Sequence, residues 1–373
     1  MACKIYVEPF EAVPVMQQEE EHDLKKGDDL SLLRNLGNSD LRLSPIGIGA
    51  WALGGDGWHY SLGPQDDKDS IALIHSAVDF GVNWIDTAGV YGYGRAGRTI
   101  ARALKSVSKR PYIFMKVGVR WHEDGSLYNS LRADSLIEEV ELALRRWDIE
   151  TLDLCQIHWP QPEREIEEGW ETLARLREQG KIRWIGVSNF SVAQMKRVQN
   201  IAPITSLQPP YSALARNIEA QVLPFTQSNG IGVISYSPMC SGLLTGTLTA
   251  EAVNELPAED ARRRLVQFRE PRLSRNLRLV ELLCELGRSH NVSPGVIAVA
   301  WVLHNSAITG AIVGCRNQRE MEEVAPALEF RLSQSEYEAI RSFHKSMRWI
   351  LSSMRARLLD AWEMTQIPFN RQL

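Results

Sequence analysis

Short apolar runs alternate with longer amphipathic stretches along most of this chain, and this alternation limits the fold more than any other feature. A strand of a parallel sheet is buried on both faces and reads as an apolar run, whereas a covering helix is apolar on one side only. We predict strands at 46–50, 84–86, 112–116, 152–158, 184–188, 206–208, 232–236 and 308–313. Eight strands alternating with helices predict an α/β chain folded as a (β/α)8 TIM barrel.

Helical patterns fill the spaces between these runs. They cover 69–80, 133–147, 165–179, 192–201 and 294–304, with caps or breakers at Asp134, Gly180, Ser191 and Ser293. Before the first barrel strand, residues 33–43 place turn formers between two extended pieces, which predicts an N-terminal β-hairpin. We therefore assign residues 31–345 to the barrel domain.

Two segments lie outside that domain. Residues 1–30 are charged and lack helical periodicity, so they are predicted to form a mobile tail, with a docking element as the alternative. Residues 346–373 are predicted to form a C-terminal helical extension, because Trp349, Ile350, Met354, Leu358 and Trp362 recur at amphipathic spacing. Such a helix should cover either the barrel flank or another subunit of a homo-oligomer.

Composition narrows the location and the partners of the protein. A net charge of −4 gives no general attraction to nucleic acid or to anionic membranes. No apolar run is long enough to cross a membrane, and residues 1–30 lack the apolar core of a signal peptide. The five cysteines are odd in number and widely spaced, as in a reducing compartment. These features predict a cytoplasmic protein that binds neither nucleic acid nor membranes.

Four polar residues lie at the ends of three successive predicted strands: Asp86, Tyr91, Lys116 and His158. The carboxyl ends of barrel strands converge on one mouth, so these side chains are expected to meet there. A phenol with a pKa of ~10 is a poor acid at neutral pH. A buried ammonium should lower that pKa, a carboxylate should hold the ammonium, and an imidazole can orient a carbonyl group. Taken singly, Asp86 and His158 would be interpreted as core residues, but together the four predict reduction of C=O.

These residues and their neighbours resemble the aldo-keto reductase superfamily from about Arg34 to about Ile340. The motifs occur in the family's order, namely Asp86-Thr87-Ala88 with Tyr91-Gly92, Lys116, His158-Trp159-Pro160, the run 180–190 and Tyr236-Ser237-Pro238. The resemblance implies that the hairpin plugs the bottom of the barrel. It also implies reduction of an aldehyde or ketone without a metal, with Tyr91 as the acid, Lys116 and Asp86 tuning it, and His158 orienting the carbonyl.

The same resemblance implies a nicotinamide dinucleotide extended across the barrel mouth. No Gly-x-Gly-x-x-Gly run follows the first strand, so a Rossmann site is not predicted. By position, Ser188, Asn189 and Gln208 should bind the carboxamide, and Tyr236 should stack on the nicotinamide. A loop that can approach the pyrophosphate carries Ser237, Pro238, Met239, Gly242 and Leu243. An ordinary turn is the alternative interpretation of Gly242.

The adenosine end of the coenzyme is expected after the eighth strand, near Gly314, Arg316 and Glu323. Arg316 is the candidate for the 2′-phosphate, which predicts NADPH as the coenzyme, with NADH as the alternative. Glu320 departs from the family pattern, since a carboxylate near a phosphate is unfavourable. Alternatively, Arg316 and Glu320 pair with each other across one helical turn.

Three tryptophans are candidates for the substrate pocket: Trp51, Trp121 and Trp159, each on a loop at the predicted mouth. In the loop after Tyr91, Arg95 and Arg98 face either an anionic or sugar-like substrate or solvent. Two rival functions are a coenzyme-binding regulatory subunit of the potassium-channel β-subunit type and a Schiff-base aldolase that uses Lys116. A nearby Asp86 would favour the charged form of Lys116, contrary to what an aldolase requires.

Overall fold

The computed structural model describes residues 32–343, which fall into two units, residues 32–331 and residues 332–343. The predicted tail at 1–30 and the predicted extension at 346–373 lie outside the described residues. The second unit contains a helix over 334–343, whose first turn is capped by Ser333 and Glu336. No helix among the described residues is long and apolar enough to span a membrane.

The first unit is a closed barrel of eight parallel strands, which confirms the predicted (β/α)8 fold. Around the barrel the strands follow their order in the chain, and the last barrel strand closes the ring against the first. The strands of the described residues are β1 (Arg34–Asn35), β2 (Arg42–Leu43), β3 (Ile46–Gly49), β4 (Trp84–Ala88), β5 (Tyr112–Val117), β6 (Val119–Trp121), β7 (Leu127–Asn129), β8 (Leu152–Ile157), β9 (Ile182–Ser188), β10 (Ser206–Gln208), β11 (Gly232–Tyr236) and β12 (Gly310–Val313). Strands β1 and β2 pair as the predicted hairpin, and β6 and β7 form a second hairpin.

Helices of the first unit cover the barrel strands in α/β alternation. They are α1 (Asp67–Asp79), α2 (Arg95–Leu104), α3 (Ala133–Trp147), α4 (Ile166–Glu178), α5 (Val192–Gln199), α6 (Val222–Ser228), α7 (Ala250–Asn254), α8 (Arg272–Ser289), α9 (Pro294–His304) and α10 (Gln318–Val324). The predicted ends of α3 and α9 agree with the structure, and Ser191 and Ser293 cap α5 and α9. Asp134 lies inside the first turn of α3 and is not its cap.

The segment predicted as a loop after Tyr91 is partly helical, because α2 begins at Arg95. Arg95 forms an ion pair with Asp67 at 3.0 Å. Arg98 is exposed on the same helix, and its Nη1 donates to the carbonyl of Tyr93 at 3.4 Å. The contacts of Arg95 therefore run to α1 and the chain before it, which explains the arginine through packing of neighbouring elements.

The first hairpin closes the amino end of the barrel. Leu36, Leu41 and Leu43 are fully buried in a cluster with barrel residues that include Trp84 and Phe114. Gly37 turns the hairpin with a φ of +53°, and a Cβ on it would lie 2.2 Å from the carbonyl oxygen of Thr205. Only glycine accommodates both the left-handed backbone and this close approach. The plug leaves the carboxyl ends of the strands as the open mouth.

Helix α3 carries a buried carboxyl group near the end of β5. Glu139 is 7% exposed, and its Oε1 accepts a hydrogen bond of 2.9 Å from the N–H of Gly118, just after β5. Burial raises the pKa of Glu139 to about 8, against the opposing effect of the Gly118 hydrogen bond. The carboxyl group therefore satisfies a main-chain donor where β5 leaves the barrel, and it is protonated at neutral pH.

We expect Glu139→Gln to remove a pH dependence of stability. Because the folded pKa is raised, the stabilising contribution of protonation is complete below the unfolded pKa and is lost as pH rises through about 8. The amide keeps the Oε1 acceptor but cannot ionise. The melting temperature of Glu139→Gln should therefore exceed that of the parent at about pH 9, by roughly 2 to 4 °C for each kcal/mol of stability that the parent loses. The difference should shrink at about pH 5.

Glu138→Gln is the matched control, since Glu138 is exposed and binds Arg120 at 2.6 Å. Differential scanning calorimetry across pH makes the measurement. An equal change for Glu139→Gln at both pH values would contradict the assignment of this pH dependence to Glu139.

Candidate active site

A buried ion pair joins two neighbouring barrel strands at the mouth. Lys116 near the end of β5 binds the Oδ2 of Asp86 on β4, and both side chains are nearly inaccessible to solvent. The other oxygen, Oδ1, accepts from Nε2 of Gln208 on β10 at 2.8 Å. Strands β4 and β5 are adjacent, and β10 lies across the barrel, so the carboxylate connects opposite walls.

Tyr91 lies in the turn that follows β4, and its ring is 9% exposed. The Nζ of Lys116 is 5.2 Å from the centroid of the Tyr91 ring. The next residue, Gly92, has a φ of +58°, and a Cβ there would lie 2.1 Å from the carbonyl oxygen of Gly54. The turn that carries Tyr91 therefore packs directly on the connection between β3 and α1.

His158 follows β8 and faces the same centre. Its ring centroid is 6.0 Å from that of Tyr91, with an interplanar angle of 78°. The main chain is held on both sides, since its N–H donates to Val117 at 2.9 Å and its carbonyl accepts from Asn189 Nδ2 at 3.0 Å. Its buried Nδ1 has no hydrogen-bond partner among the described residues. The structure thus brings all four predicted residues together.

The electrostatics of this cluster differ from the sequence prediction in one respect. Burial, the negative charge of Asp86 and Tyr236 together raise the pKa of Tyr91 well above 10, where the sequence predicted a lowered value. The Lys116 ammonium contacts Asp86 and lies 5.2 Å from the centroid of the Tyr91 ring, but burial of the phenol is the dominant influence on its pKa. Burial and the charge of Lys116 lower the pKa of His158 well below 6.5. The phenol is therefore protonated and the imidazole neutral at physiological pH.

The pKa values of Asp86 and Lys116 are also shifted by their surroundings. Burial raises the pKa of Asp86 and lowers that of Lys116, and in each case the partner's opposite charge opposes the shift. Desolvation alone would discharge both groups. Their direct contact, with Gln208 on the free carboxylate oxygen, offsets that cost.

The residues expected at the nicotinamide lie on β9, β10 and β11 and are linked to one another. Ser188 Oγ donates to the Gln208 carbonyl at 2.8 Å, and Asn189 Nδ2 donates to Ser188 Oγ at 3.0 Å. The hydroxyl of Tyr236 donates to Asn189 Oδ1 at 2.9 Å. Asn189 holds a φ of +64°, a conformation that asparagine tolerates better than most residues. Gln208 Oε1 has no protein partner within residues 32–343.

The loop after β11 has an unusual backbone. Ser237, Cys240, Ser241 and Gly242 all have positive φ values, and Gly242 reaches +88°. A Cβ on Gly242 would meet no atom within 4 Å, so glycine is required there by conformation, and the space beside it is open. Pro238, Met239 and Leu243 are buried. Their side chains pack inward, so the part of this loop that can meet a ligand is mainly backbone.

The predicted adenosine end lies after β12. Gly314 is exposed, and a Cβ on it would meet no atom within 4 Å. The guanidinium of Arg316 binds the Pro64 carbonyl and the Oε1 of Gln65, the latter at 3.1 Å from Nε. Glu320 accepts instead from the main-chain N–H of Arg316 at 2.8 Å, so the side-chain pair considered from the sequence does not form.

Glu323 is exposed on α10, where its Oε1 accepts from Arg319 at 3.0 Å. This i,i+4 pair occupies the carboxylate that the sequence placed at the adenosine. The pair uses Oε1, so the predicted coenzyme contact can be made through the other carboxylate oxygen.

The three predicted pocket tryptophans are not equivalent. Trp159 is 42% exposed and stacks on His158 with centroids 6.3 Å apart. Trp121 lies on β6, 37% exposed, with its ring 5.7 Å from that of Tyr93. Trp51 is half-buried in the turn after β3. Trp159 therefore contacts the cluster directly, through His158.

Sequence reasoning missed one aromatic residue at the centre. Trp58 is 6% exposed, its ring centroid lies 5.9 Å from that of Tyr91, and its Nε1 donates to the Gly55 carbonyl at 2.9 Å. The signal available was its place in Gly54-Gly55-Asp56-Gly57-Trp58, a glycine-rich connection directly after the first barrel strand. Within residues 32–343, no group of three or more His, Cys, Asp and Glu side chains is arranged to hold a metal ion.

Comparisons with known proteins agree with this architecture. The model of the Aldo/keto reductase family matches residues 45–345. The chain is similar to the aldo-keto reductase YhdN of Bacillus subtilis, with 34% identity over 311 residues, covering 83% of this chain and 92% of that protein. It is 30% identical over 326 residues to an NADH-specific methylglyoxal reductase of Escherichia coli, covering 84% and 98% of the two chains.

A solved structure is also similar, that of the glycerol dehydrogenase AKR11B4 from Gluconobacter oxydans. The TM-score is 0.77 at 32% sequence identity, and the match covers 84% of this chain and 95% of that chain.

Removing one charge of the buried pair should destabilise the protein strongly. Asp86→Asn leaves the Lys116 ammonium buried without a counter-charge, which should cost roughly 3 to 5 kcal/mol of unfolding free energy. The double variant Asp86→Asn with Lys116→Met removes both charges and should recover most of that loss. Urea unfolding at neutral pH measures the unfolding free energy of the parent, the single variant and the double variant. A double variant no more stable than Asp86→Asn would contradict this account.

Proposed function

The chain belongs to the aldo/keto reductase family, and from that premise we propose that it is a nicotinamide-dependent oxidoreductase that reduces an aldehyde or ketone to an alcohol. The observation that carries the proposal is the cluster of Tyr91, Lys116, Asp86 and His158 at the barrel mouth. A protonated phenol, a neutral imidazole and a buried ion pair are what proton transfer to a carbonyl oxygen requires.

The mouth fits the nicotinamide coenzyme that this family uses. Gln208 Oε1 can accept from a carboxamide, the ring of Tyr236 offers an aromatic face, and the open backbone at Gly242 and Gly314 leaves room for phosphates. When bound, the coenzyme supplies the hydride that reduces the carbonyl carbon. In this assignment Ser188 and Asn189 hold the nicotinamide side of the site in place through their mutual hydrogen bond.

Tyr91 is assigned the proton transfer. Its raised pKa keeps the phenol protonated throughout the neutral range, so the acid form is always available for reduction. The hydroxyl proton would pass to the carbonyl oxygen as negative charge develops there. Lys116, close to the ring, stabilises the resulting phenolate, and Asp86 keeps the ammonium charged and in place. The reverse oxidation uses the same groups in the opposite sense.

His158 is assigned the orientation of the substrate. Its lowered pKa makes it a neutral hydrogen-bond donor, which can bind a carbonyl oxygen without competing with Tyr91 for the proton. Trp58 and Trp159 flank Tyr91 and His158 and supply apolar walls. A small aldehyde or ketone suits this arrangement. Two similar proteins carry compatible names, a methylglyoxal reductase and a glycerol dehydrogenase.

We further propose NADPH as the preferred coenzyme and the cytoplasm as the location. Arg316 supports NADPH because its cation lies where the 2′-phosphate is expected. One relative is named NADH-specific, so the preference must follow from residues such as Arg316 rather than from the family. Buried cysteine thiols at 155, 240 and 315 support a reducing compartment.

Tyr91→Phe should retain coenzyme binding and lose most turnover. The variant removes the proton donor but keeps the ring, so kcat should fall by roughly 10²- to 10⁴-fold. Oxidation of NADPH with a panel of small aldehydes and ketones, followed at 340 nm, measures turnover, and quenching of tryptophan fluorescence measures coenzyme binding. Tyr112→Phe is the control, since Tyr112 begins β5 at the opposite end of the barrel. Near-normal kcat in Tyr91→Phe would refute the assignment of the acid.

Arg316→Ala should weaken the binding of NADPH and leave the binding of NADH almost unchanged. Only NADPH carries the 2′-phosphate, and a charge-assisted hydrogen bond to it is worth roughly 1.5 to 3 kcal/mol, or about 10- to 100-fold in Kd. Arg319→Ala is the matched control, because Arg319 is exposed on the adjoining helix and pairs with Glu323. Equal losses for both coenzymes would show that Arg316 serves the shared part of the site.

A further inference from the structure

Arg316 is oriented by a segment far away in sequence, the connection between β3 and α1. Its guanidinium donates to the main-chain carbonyl of Pro64 and, through Nε at 3.1 Å, to the side-chain oxygen of Gln65. Neither contact uses Nη1. The segment therefore holds one edge of the guanidinium and leaves the other edge available to a ligand.

Gln65 is itself held rigidly. It is 8% exposed, and its Nε2 donates to the Arg316 carbonyl at 2.6 Å and to Ser70 Oγ at 3.0 Å. Ser70 is buried on α1 and in turn donates to the Asp66 carbonyl at 2.9 Å. With both amide hydrogens directed at oxygens, Oε1 is the group that faces the guanidinium. The side chain forms a reciprocal clamp on the backbone and the side chain of Arg316.

The Gln65 side chain that holds Arg316 carries no charge, so it does not compensate the positive charge of the guanidinium. The nearby carboxylates are engaged elsewhere: Glu320 accepts from the Arg316 main chain, and Asp260 binds Arg262 at 2.7 Å. Arg95 provides the contrast, because it binds the same segment but pairs with Asp67, which cancels its charge. Arg316 thus keeps a fixed orientation together with its full positive charge.

We propose that Gln65 is a determinant of coenzyme specificity: its neutral amide orients Arg316 without compensating its charge, so that the guanidinium is available to the 2′-phosphate of NADPH. The proposal rests on the proposed function. Gln65 is a positioning residue, since it acts through Arg316 and does not itself contact the coenzyme. A carboxylate at this position would hold the same guanidinium but would occupy its charge.

Gln65→Glu adds a negative charge at almost unchanged size and also removes the Nε2 donor, a loss that the neutral variant Gln65→Met shares. Binding of NADPH and of NADH is measured separately by isothermal titration calorimetry, and the readout is the ratio of the Kd for NADPH to the Kd for NADH. In Gln65→Glu this ratio should rise about tenfold, as expected when an ion pair competes with the phosphate for one cation. Gln65→Met removes the orienting acceptor without adding charge and should raise the ratio only about threefold.

Two further variants separate this effect from others. Gln227→Glu adds the same charge at an exposed position on α6 and should leave the ratio unchanged. In an Arg316→Ala background, Gln65→Glu should no longer alter the ratio, because its effect passes through the guanidinium.

An unchanged ratio in Gln65→Glu, with both coenzymes still bound, would overturn the proposal and leave the proposed function intact. The same would follow if Gln65→Met raised the ratio as much as Gln65→Glu, or if the Gln65→Glu effect persisted without Arg316. If Gln65→Glu does not fold, the ratio in Gln65→Met decides, and no change there overturns the proposal. Failure of the parent protein to bind either coenzyme would refute the proposed function itself.

Discussion

The contact between Lys116 and Asp86 is the constraint on which the rest of the structure depends. Two charges removed from water are tolerated only when they meet in good geometry and their remaining hydrogen-bonding capacity is used. That condition forces β4, β5 and, through Gln208, β10 to bring their side chains to one point inside the barrel. Closure of the barrel therefore also brings the residues of the candidate site together. The hairpin plug at the amino end leaves the carboxyl end as the face where the chemistry can take place.

The same contact sets the protonation of its neighbours. An ammonium beside Tyr91 would by itself lower the pKa of the phenol, but burial and the negative charge of Asp86 raise it, and burial dominates. His158 is kept neutral by burial and by the nearby cation. The resting site thus holds a protonated acid next to a neutral hydrogen-bond donor. In the proposed reaction, stabilisation of a phenolate by Lys116 becomes important only as the proton leaves Tyr91.

The connection between β3 and α1 links the cluster around Tyr91 to the predicted site of the adenosine end of the coenzyme. Trp58 packs on Tyr91, and Gln65, farther along the same segment, holds Arg316 after β12. The segment is a loop, and loops placed on a rigid barrel commonly carry the residues that distinguish one ligand from another. Its contacts join residues up to 252 positions apart, so no local sequence pattern predicts them.

From the sequence alone, the alternation of apolar runs and amphipathic stretches determines a closed parallel barrel, because buried strands and half-buried helices leave different periodicities. The sequence also predicts the ends of α3 and α9 as the structure has them. Because barrel strands end at one mouth, it further predicts that four polar residues meet there, namely Asp86, Tyr91, Lys116 and His158. Helix α2 was not predicted, because its arginines and Gly97 resemble a polar loop. Packing against α1 explains these residues. The partners of Arg316 and the direction of the Tyr91 pKa were decided by the tertiary structure, since both depend on burial and on charges brought near through space.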